Sequence, residues 1–150
     1  MKLGFVASSG GHWEEIMCLM EIARENDTFY VTEEGGQAED FGNEVYVFDQ
    51  INRREKHFLI HFVRLFVRAG RILRRERPDV LVTTGALLAF PFCVLGKLRG
   101  IKIIYIESFA RVNDGSLTGR LVYPFADLFL VQWHTLLQVY PRARYVGGIF

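Results

Sequence analysis

Apolar residues fall into short solid runs, separated by segments in which they recur every three or four positions. The runs are Lys2–Ala7 (KLGFVA), Thr28–Thr32 (TFYVT), Glu44–Asp49 (EVYVFD), Asp79–Thr83 (DVLVT), Lys102–Ile106 (KIIYI) and Leu128–Gln132 (LFLVQ). Their length and solid apolar character match strands of a parallel sheet covered on both faces. Between them, helical spacing predicts a helix from His12 to about Glu25, carried by Ile16, Leu19, Met20 and Ala23. It predicts a long helix from about Glu55 to Glu76, stopped by Pro78, and another from near Pro91 to Gly100. Shorter helices are predicted from Ser116 to about Ala126 and around His134–Val139, before the segment Tyr145–Phe150. A Gly- and Glu-rich loop joins the second and third strands. Regular alternation of this kind predicts one α/β domain, residues 1–150, built on a doubly wound open parallel sheet. Such sheets bind ligands outside the carboxyl ends of their strands. Ser8–His12, Thr83–Ala86, Glu107–Arg111 and Gln132–His134 are therefore predicted to share one edge.

Composition supports a globular chain: 150 residues, half of them hydrophobic. Cys18 and Cys93 lie in apolar surroundings and read as buried free thiols of a reducing compartment. There is no leader pattern, and no apolar run reaches the roughly 18 residues a spanning helix needs. The expectation is a cytoplasmic protein. Overall charge is +1, but residues 51–77 carry nine basic residues against two acids, a local +7 against −6 elsewhere. That asymmetry concerns partners rather than fold.

Four groups carry candidate chemistry. Ser8-Ser9-Gly10-Gly11-His12 joins the first strand to the first helix, where glycines let backbone approach a ligand and a helix start favours an anion. His12 is placed to act as a general base or to bind phosphate, unless the glycines only make the turn. Glu107 follows an apolar strand, where a carboxylate needs a partner. That partner is a ligand hydroxyl, with Ser108 and Arg111 beside it, or Arg111 itself in a structural ion pair. In Gly115–Arg120, Ser116 or Thr118 caps a helix and Arg120 is either a phosphate ligand or solvated; Gly85 ends a strand at the same edge. On the long helix, His57, His61, Arg64, Arg68, Arg71 and Arg75 stack on one face, with Phe58, Phe62 and Phe66 among surplus apolar residues. A basic amphipathic helix with extra aromatics predicts contact with an anionic membrane surface, the alternative being a solvated face. Nucleic acid is not expected, because no stacking platform accompanies the arginines.

Val6–Glu14 (VASSGGHWE), Lys102–Val112 (KIIYIESFARV) with Ser116–Tyr123 (SLTGRLVY), and Ala126–Trp133 (ADLFLVQW) together carry a family resemblance. The chain resembles small bacterial capsule and exopolysaccharide glycosyltransferase subunits of the PssD/CpsF type. These are similar to the membrane-anchoring subunit of the eukaryotic two-part N-acetylglucosaminyltransferase that extends dolichol-linked oligosaccharide. More remotely the chain resembles the N-terminal domain of the peptidoglycan enzyme MurG. The resemblance implies a Rossmann-like acceptor half of a GT-B glycosyltransferase, with a donor-binding subunit on a separate chain. It implies a nucleotide-sugar held through that partner and an undecaprenyl-diphosphate-linked saccharide as acceptor, without a cofactor. His12 and Glu107 become candidate bases, and Ser8, Ser9, Gly10, Gly11, Gly85, Ser108, Arg111 and Arg120 candidate substrate contacts. No Asp-x-Asp pair is present to hold a metal. Phe58, Phe62, Arg64, Phe66, Arg68, Arg71 and Arg75 are expected to meet the inner face of the membrane peripherally. Tyr145, Ile149 and Phe150 are expected to meet the donor subunit. The alternative is a non-catalytic adaptor that only recruits that subunit.

Overall fold

The structure, a computed structural model, describes residues 1–35 and 43–150. Most of the Gly- and Glu-rich loop lies outside the described residues. Seven strands, β1 (Lys2–Ala7), β2 (Asp27–Glu33), β3 (Glu44–Phe48), β4 (Val80–Gly85), β5 (Lys102–Ile106), β6 (Leu128–Val131) and β7 (Arg144–Tyr145), form one sheet in the order β3-β2-β1-β4-β5-β6-β7. Every pairing is parallel. The helices are α1 (Gly11–Met17), α2 (Met20–Arg24), α3 (Phe58–Glu76), α4 (Ala89–Leu98) and α5 (Leu117–Val122), with a short 3-10 helix at His134–Gln138. The doubly wound sheet is as expected, and the order reverses between β1 and β4, the crevice where such folds take ligands.

Besides shifts at the ends of α4 and α5, sequence and structure differ in three places. The helix expected over 12–25 breaks between Met17 and Met20. The Leu19 amide bonds the Ile16 carbonyl at 2.9 Å, a tight turn that keeps the buried side in phase, so periodicity does not reveal it. That turn points Cys18 to solvent, so only Cys93 is buried. Burial pushes the Cys93 thiol up to about 12. The long helix starts at Phe58 rather than Glu55 and ends at Arg77 in the left-handed region (φ 47), just before Pro78. Finally, the segment after Pro141 adds a two-residue edge strand, β7, to the sheet.

The core lies on both faces of the sheet. One cluster joins Phe29, Leu65, Leu73, Phe92, Ile103 and Leu136 under α3, α4 and the 3-10 helix; the other joins Phe5, Trp13, Ile16, Tyr30 and Ile106 under α1 and α2. The amino ends of the strands are tied by an ionic cluster. Lys2 Nζ lies 2.7 Å from Glu76 Oε2, and the Tyr46 hydroxyl donates to Glu76 Oε1. Burial alone would raise the Glu76 carboxyl, but these two hydrogen bonds together with the positive charges of Lys2 and Arg75 outweigh it and hold it below the usual carboxylate range.

Two predictions follow from this packing. A Cβ on Gly4 would stand 2.5 Å from Phe29 Cζ and 2.7 Å from Leu81 Cδ2, both on fully packed side chains. Gly4→Ala is expected to lower unfolding stability by about 1–3 kcal/mol, read from the denaturant midpoint. Because the folded Glu76 pKa is depressed, its contribution is present above the ordinary carboxylate value and lost as pH falls through the folded one. Tyr46→Phe is therefore expected to be less stable than the parent by about 1 kcal/mol at neutral pH, with the two converging in acid.

Candidate functional site

Four loops meet at the carboxyl edge of the sheet, as the strand ends require. The β1–α1 loop turns at Gly10 (φ 80), and a Cβ on Gly10 or Gly11 would meet nothing within 4 Å, so both backbones border open space. Ser8 is buried, and the Ser9 hydroxyl accepts from Gln50 Nε2 at 3.1 Å. The helix that follows has only seven residues, so little dipole backs an anion there.

His12 is fixed from two sides by Thr84. Its Nδ1 lies 2.8 Å from the Thr84 carbonyl oxygen, and Thr84 Oγ1 donates to the His12 carbonyl at 2.8 Å. A carbonyl only accepts, so in the neutral ring Nδ1 carries the proton and Nε2 keeps its lone pair. Gly85 lies beside the ring at φ 104; a Cβ there would stand 2.5 Å from the Tyr105 hydroxyl and 3.8 Å from His12 Cε1. Backbone angle and space both demand glycine.

One turn along α1, Glu15 is buried and organises the edge. Its Oε1 accepts from Ser108 Oγ at 2.8 Å and from the Phe109 amide at 3.1 Å, and its Oε2 from Gln132 Nε2 at 3.0 Å. Gln132 also donates to the Glu107 carbonyl at 3.1 Å and accepts from the Ile149 amide at 3.0 Å. The sequence placed Thr84 and Gln132 at this edge without giving either a role, and it did not single out Glu15. The one local signal was the position of Glu15 three residues after His12, on the buried side of a short helix.

Glu107 does not face a ligand. It is 0 % exposed, and its Oε2 accepts from the Tyr140 hydroxyl at 2.8 Å and from the Ser116 amide and hydroxyl at 3.0 and 3.1 Å. Its Oε1 accepts from the Ser108 amide at 3.1 Å. The carboxylate thus holds the 107–116 loop, and Ser116 in turn caps α5 by accepting from the Gly119 amide at 2.9 Å. Burial and the Glu107 carboxylate together push the Tyr140 phenol up. Arg111 makes no ion pair with Glu107; its side chain is exposed. Arg120 is paired with Asp114 and bonds the Gly115 carbonyl, so it orders the loop instead of standing free for phosphate.

Between α1 and the 107–110 loop lies a cleft of about 320 Å³, lined by Gly11, His12, Glu15, Ser108, Phe109 and Phe150. Phe150 rests edge-on against Phe109, which packs on Trp133. Tyr145 and Phe150 are exposed, whereas Ile149 packs back onto the core beneath α1. Among the described residues no three His, Cys, Asp or Glu side chains stand together as metal ligands would.

The arginine face of α3 is divided. Arg68 donates to the Val47 carbonyl at 2.7 Å and lies over the Phe48 ring, and Arg75 pairs with Glu44 at 2.6 Å. These two tie α3 to the edge strand β3 although they stay solvent-exposed, as Arg64 and Arg71 also are. Phe58, Phe62 and Phe66 form a half-buried ladder, the latter two against Phe90. The outward apolar residues are instead Leu59, Ile60, Val63 and Val67, 50–74 % exposed. No described helix is long and apolar enough to cross a membrane.

Residues 50–149 match the family described as oligosaccharide biosynthesis protein Alg14 like, and the chain belongs to that family. A relative from Schizosaccharomyces pombe, named UDP-N-acetylglucosamine transferase subunit alg14, is 45% identical over 75 residues, which cover 47% of this chain and 36% of the relative. The human protein of that name is 34% identical over 84 residues, 52% of this chain and 39% of its own length. The chain thus matches about two fifths of these curated relatives. Both are eukaryotic, and they do not support the narrower resemblance to capsule and exopolysaccharide subunits. In fold, the chain superposes on Acinetobacter baumannii MurG with a TM-score of 0.71 at 15% identity, covering 87% of this chain and 40% of that one. It superposes on a UDP-GlcNAc 2-epimerase from Methanocaldococcus jannaschii with a TM-score of 0.73 at 13% identity, covering 95% and 42%. The fold is that of the amino-terminal half of GT-B proteins.

Glu107→Gln turns an amide donor, or removes a charge, towards four groups that all donate. It is expected to lower stability by about 2–3 kcal/mol, and Tyr140→Phe by about 1 kcal/mol, in equilibrium unfolding.

Proposed function

From membership in this family, we propose that the chain is the acceptor-binding, membrane-facing half of a two-chain glycosyltransferase that uses UDP-N-acetylglucosamine. A separate donor-binding chain completes the active site. The observation that carries the reading is the family itself, whose curated relatives are named subunits of a UDP-N-acetylglucosamine transferase. For the acceptor we propose a saccharide linked to a polyprenyl diphosphate. An undecaprenyl carrier in polysaccharide synthesis, on the cytoplasmic face of a bacterial membrane, is the narrower form, and rests on the sequence resemblance alone, which is most specific over residues 105–133.

In this reading His12 is the general base. Thr84 holds the Nδ1 proton, leaving Nε2 to take the proton of the attacking acceptor hydroxyl. The hydroxyl oxygen bonds to the anomeric carbon, and the bond to the nucleoside diphosphate breaks with its electron pair leaving on the phosphate oxygen. Glu107 supports this from behind by holding the loop, and Ser8, Ser9, Gly10, Gly11 and Ser108 border the acceptor sugar. Closure of the donor chain against Phe109, Tyr145 and Phe150 would exclude water. The exposed row Leu59, Val63 and Val67 enters the lipid interface, with Arg64 and Arg71 beside it on the anionic headgroups.

The burial of Glu107 favours one feature of a recruiting adaptor, since it leaves His12 as the sole candidate base. His12→Ala, purified with its donor chain, is expected to bind that chain normally and to lose about 100-fold or more in transfer of radiolabelled N-acetylglucosamine to lipid. Full turnover with the partner bound would leave recruitment as the function. Arg64→Ala and Arg71→Ala are each expected to weaken sedimentation with phosphatidylglycerol vesicles about fivefold, and equal binding by all three proteins would remove the membrane-facing role of α3.

A further inference from the structure

His12 and the 320 Å³ cleft lie on the α1 side of the sheet. On the other side, two residues beyond Gly85, a separate groove of about 330 Å³ opens between α3, the start of α4 and α5. Its walls are Phe58, Phe62, Leu87, Phe90, Leu117 and Leu121. Among the described residues, Thr118, which is almost wholly buried, and Arg53, on the exposed loop before α3, complete the lining.

The chemistry of these walls restricts the occupant. A sugar or nucleotide site needs several placed donors and acceptors, and here one hydroxyl and one guanidinium are on offer. The volume is at the lower end of small-molecule sites, which run from about 300 Å³. Leu117 and Leu121 remain about half exposed at the rim, and Leu59 continues the apolar surface along the next row of α3. The groove is therefore an inward branch of the same apolar surface, with a cation in its lining. A thin, flexible hydrocarbon carrying an anionic head satisfies all of these features.

We propose that this groove holds the isoprene units next to the diphosphate of a polyprenyl-linked acceptor, with the diphosphate drawn to Arg53. The saccharide then crosses the Gly85–Leu87 turn to reach His12. The proposal rests on the lipid-linked acceptor described above and adds where on the chain that lipid is read. Burial of hydrocarbon against Phe62 and the two rim leucines supplies affinity that a water-soluble sugar cannot. Arg53 supplies the preference for a phosphorylated lipid over the free alcohol.

The test uses the full chain in detergent micelles, so that vesicle docking does not enter. The probes are undecaprenyl diphosphate, dolichyl diphosphate and undecaprenol, together with an undecaprenyl diphosphate bearing a diazirine near the diphosphate. The diazirine is expected to label peptides containing Phe58–Phe62 and Leu117–Leu121. The double variant Leu117→Asn/Leu121→Asn alters rim side chains only, so its unfolding midpoint should match the parent, while its affinity for undecaprenyl diphosphate falls about tenfold. Arg53→Ala is expected to bind undecaprenol as the parent does and to lose the preference for the diphosphate. Labelling confined to other surfaces, or an unchanged affinity in the double variant, overturns the groove and leaves the lipid-linked reading standing. Failure of the parent chain to bind either polyprenyl diphosphate overturns that reading, and the groove with it.

Discussion

The buried carboxylate of Glu107 sets the arrangement of the whole carboxyl edge. A charged group removed from water costs several kcal/mol unless it is fully hydrogen-bonded, so its surroundings must converge on it. Here the donors come from Ser108, Ser116 and Tyr140, which belong to the β5 end, the cap of α5 and the segment after the 3-10 helix. Satisfying one carboxylate therefore fixes three elements at once. Gly119 is drawn in so closely that a Cβ there would collide with Glu107 Oε2, which accounts for glycine inside the short helix α5. The positions of Leu117 and Leu121, and hence one wall of the apolar groove, depend on the same bonds.

Glu15 performs the matching task on the other side of the sheet. Its carboxylate collects the Ser108 hydroxyl, the Phe109 amide and the Gln132 side chain, and Gln132 extends the link to Ile149. Because Glu15 and His12 share α1, anything that shifts the segment ending at Phe150 is felt within one turn of the proposed base. A partner docking on Phe109 and Phe150 would press on the same network that positions the crevice. The two buried carboxylates are thus scaffolds for one rim, approached from opposite faces of the sheet.

Much of this was legible in the sequence, for identifiable reasons. A parallel strand buried on both faces is written as a solid apolar run, and the bounds expected for β1 and β5 match those observed. The loops at the strand ends were legible because topology alone brings them together. The partners of Glu107 were not, since Ser116 and Tyr140 lie 9 and 33 residues away and no local pattern marks them. A charge after an apolar strand reads as facing a ligand when it has in fact found internal donors. The arginine stripe of α3 misled in a related way. Helical spacing shows that Arg68 and Arg75 share a face, but not that the edge strand β3 lies beneath that face and supplies Val47 and Glu44 as partners. With those arginines engaged by β3, Leu59, Val63 and Val67 also stand on the exposed surface of α3, where the arginine spacing alone had not placed them.

The β4–α4 turn draws these strands together. Gly85 and Ala86 both adopt positive φ (104 and 70), an arrangement a non-glycine residue takes up only when its surroundings impose it. The turn carries the chain from Gly85, where an added Cβ would come within 3.8 Å of the His12 ring, to Leu87, in the wall of the apolar groove, within two residues. A crevice that holds a hydrogen-bonded imidazole and a hydrocarbon-lined groove thereby share one thin partition. A ligand that is sugar at one end and hydrocarbon at the other can occupy both without burying either end in the wrong environment. A free sugar or a free lipid fills only one. If the proposed acceptor binds here, the strained partition gives a physical reason for a ligand that carries both parts, and the length of the polar link between them, rather than either pocket alone, becomes the quantity on which recognition would turn.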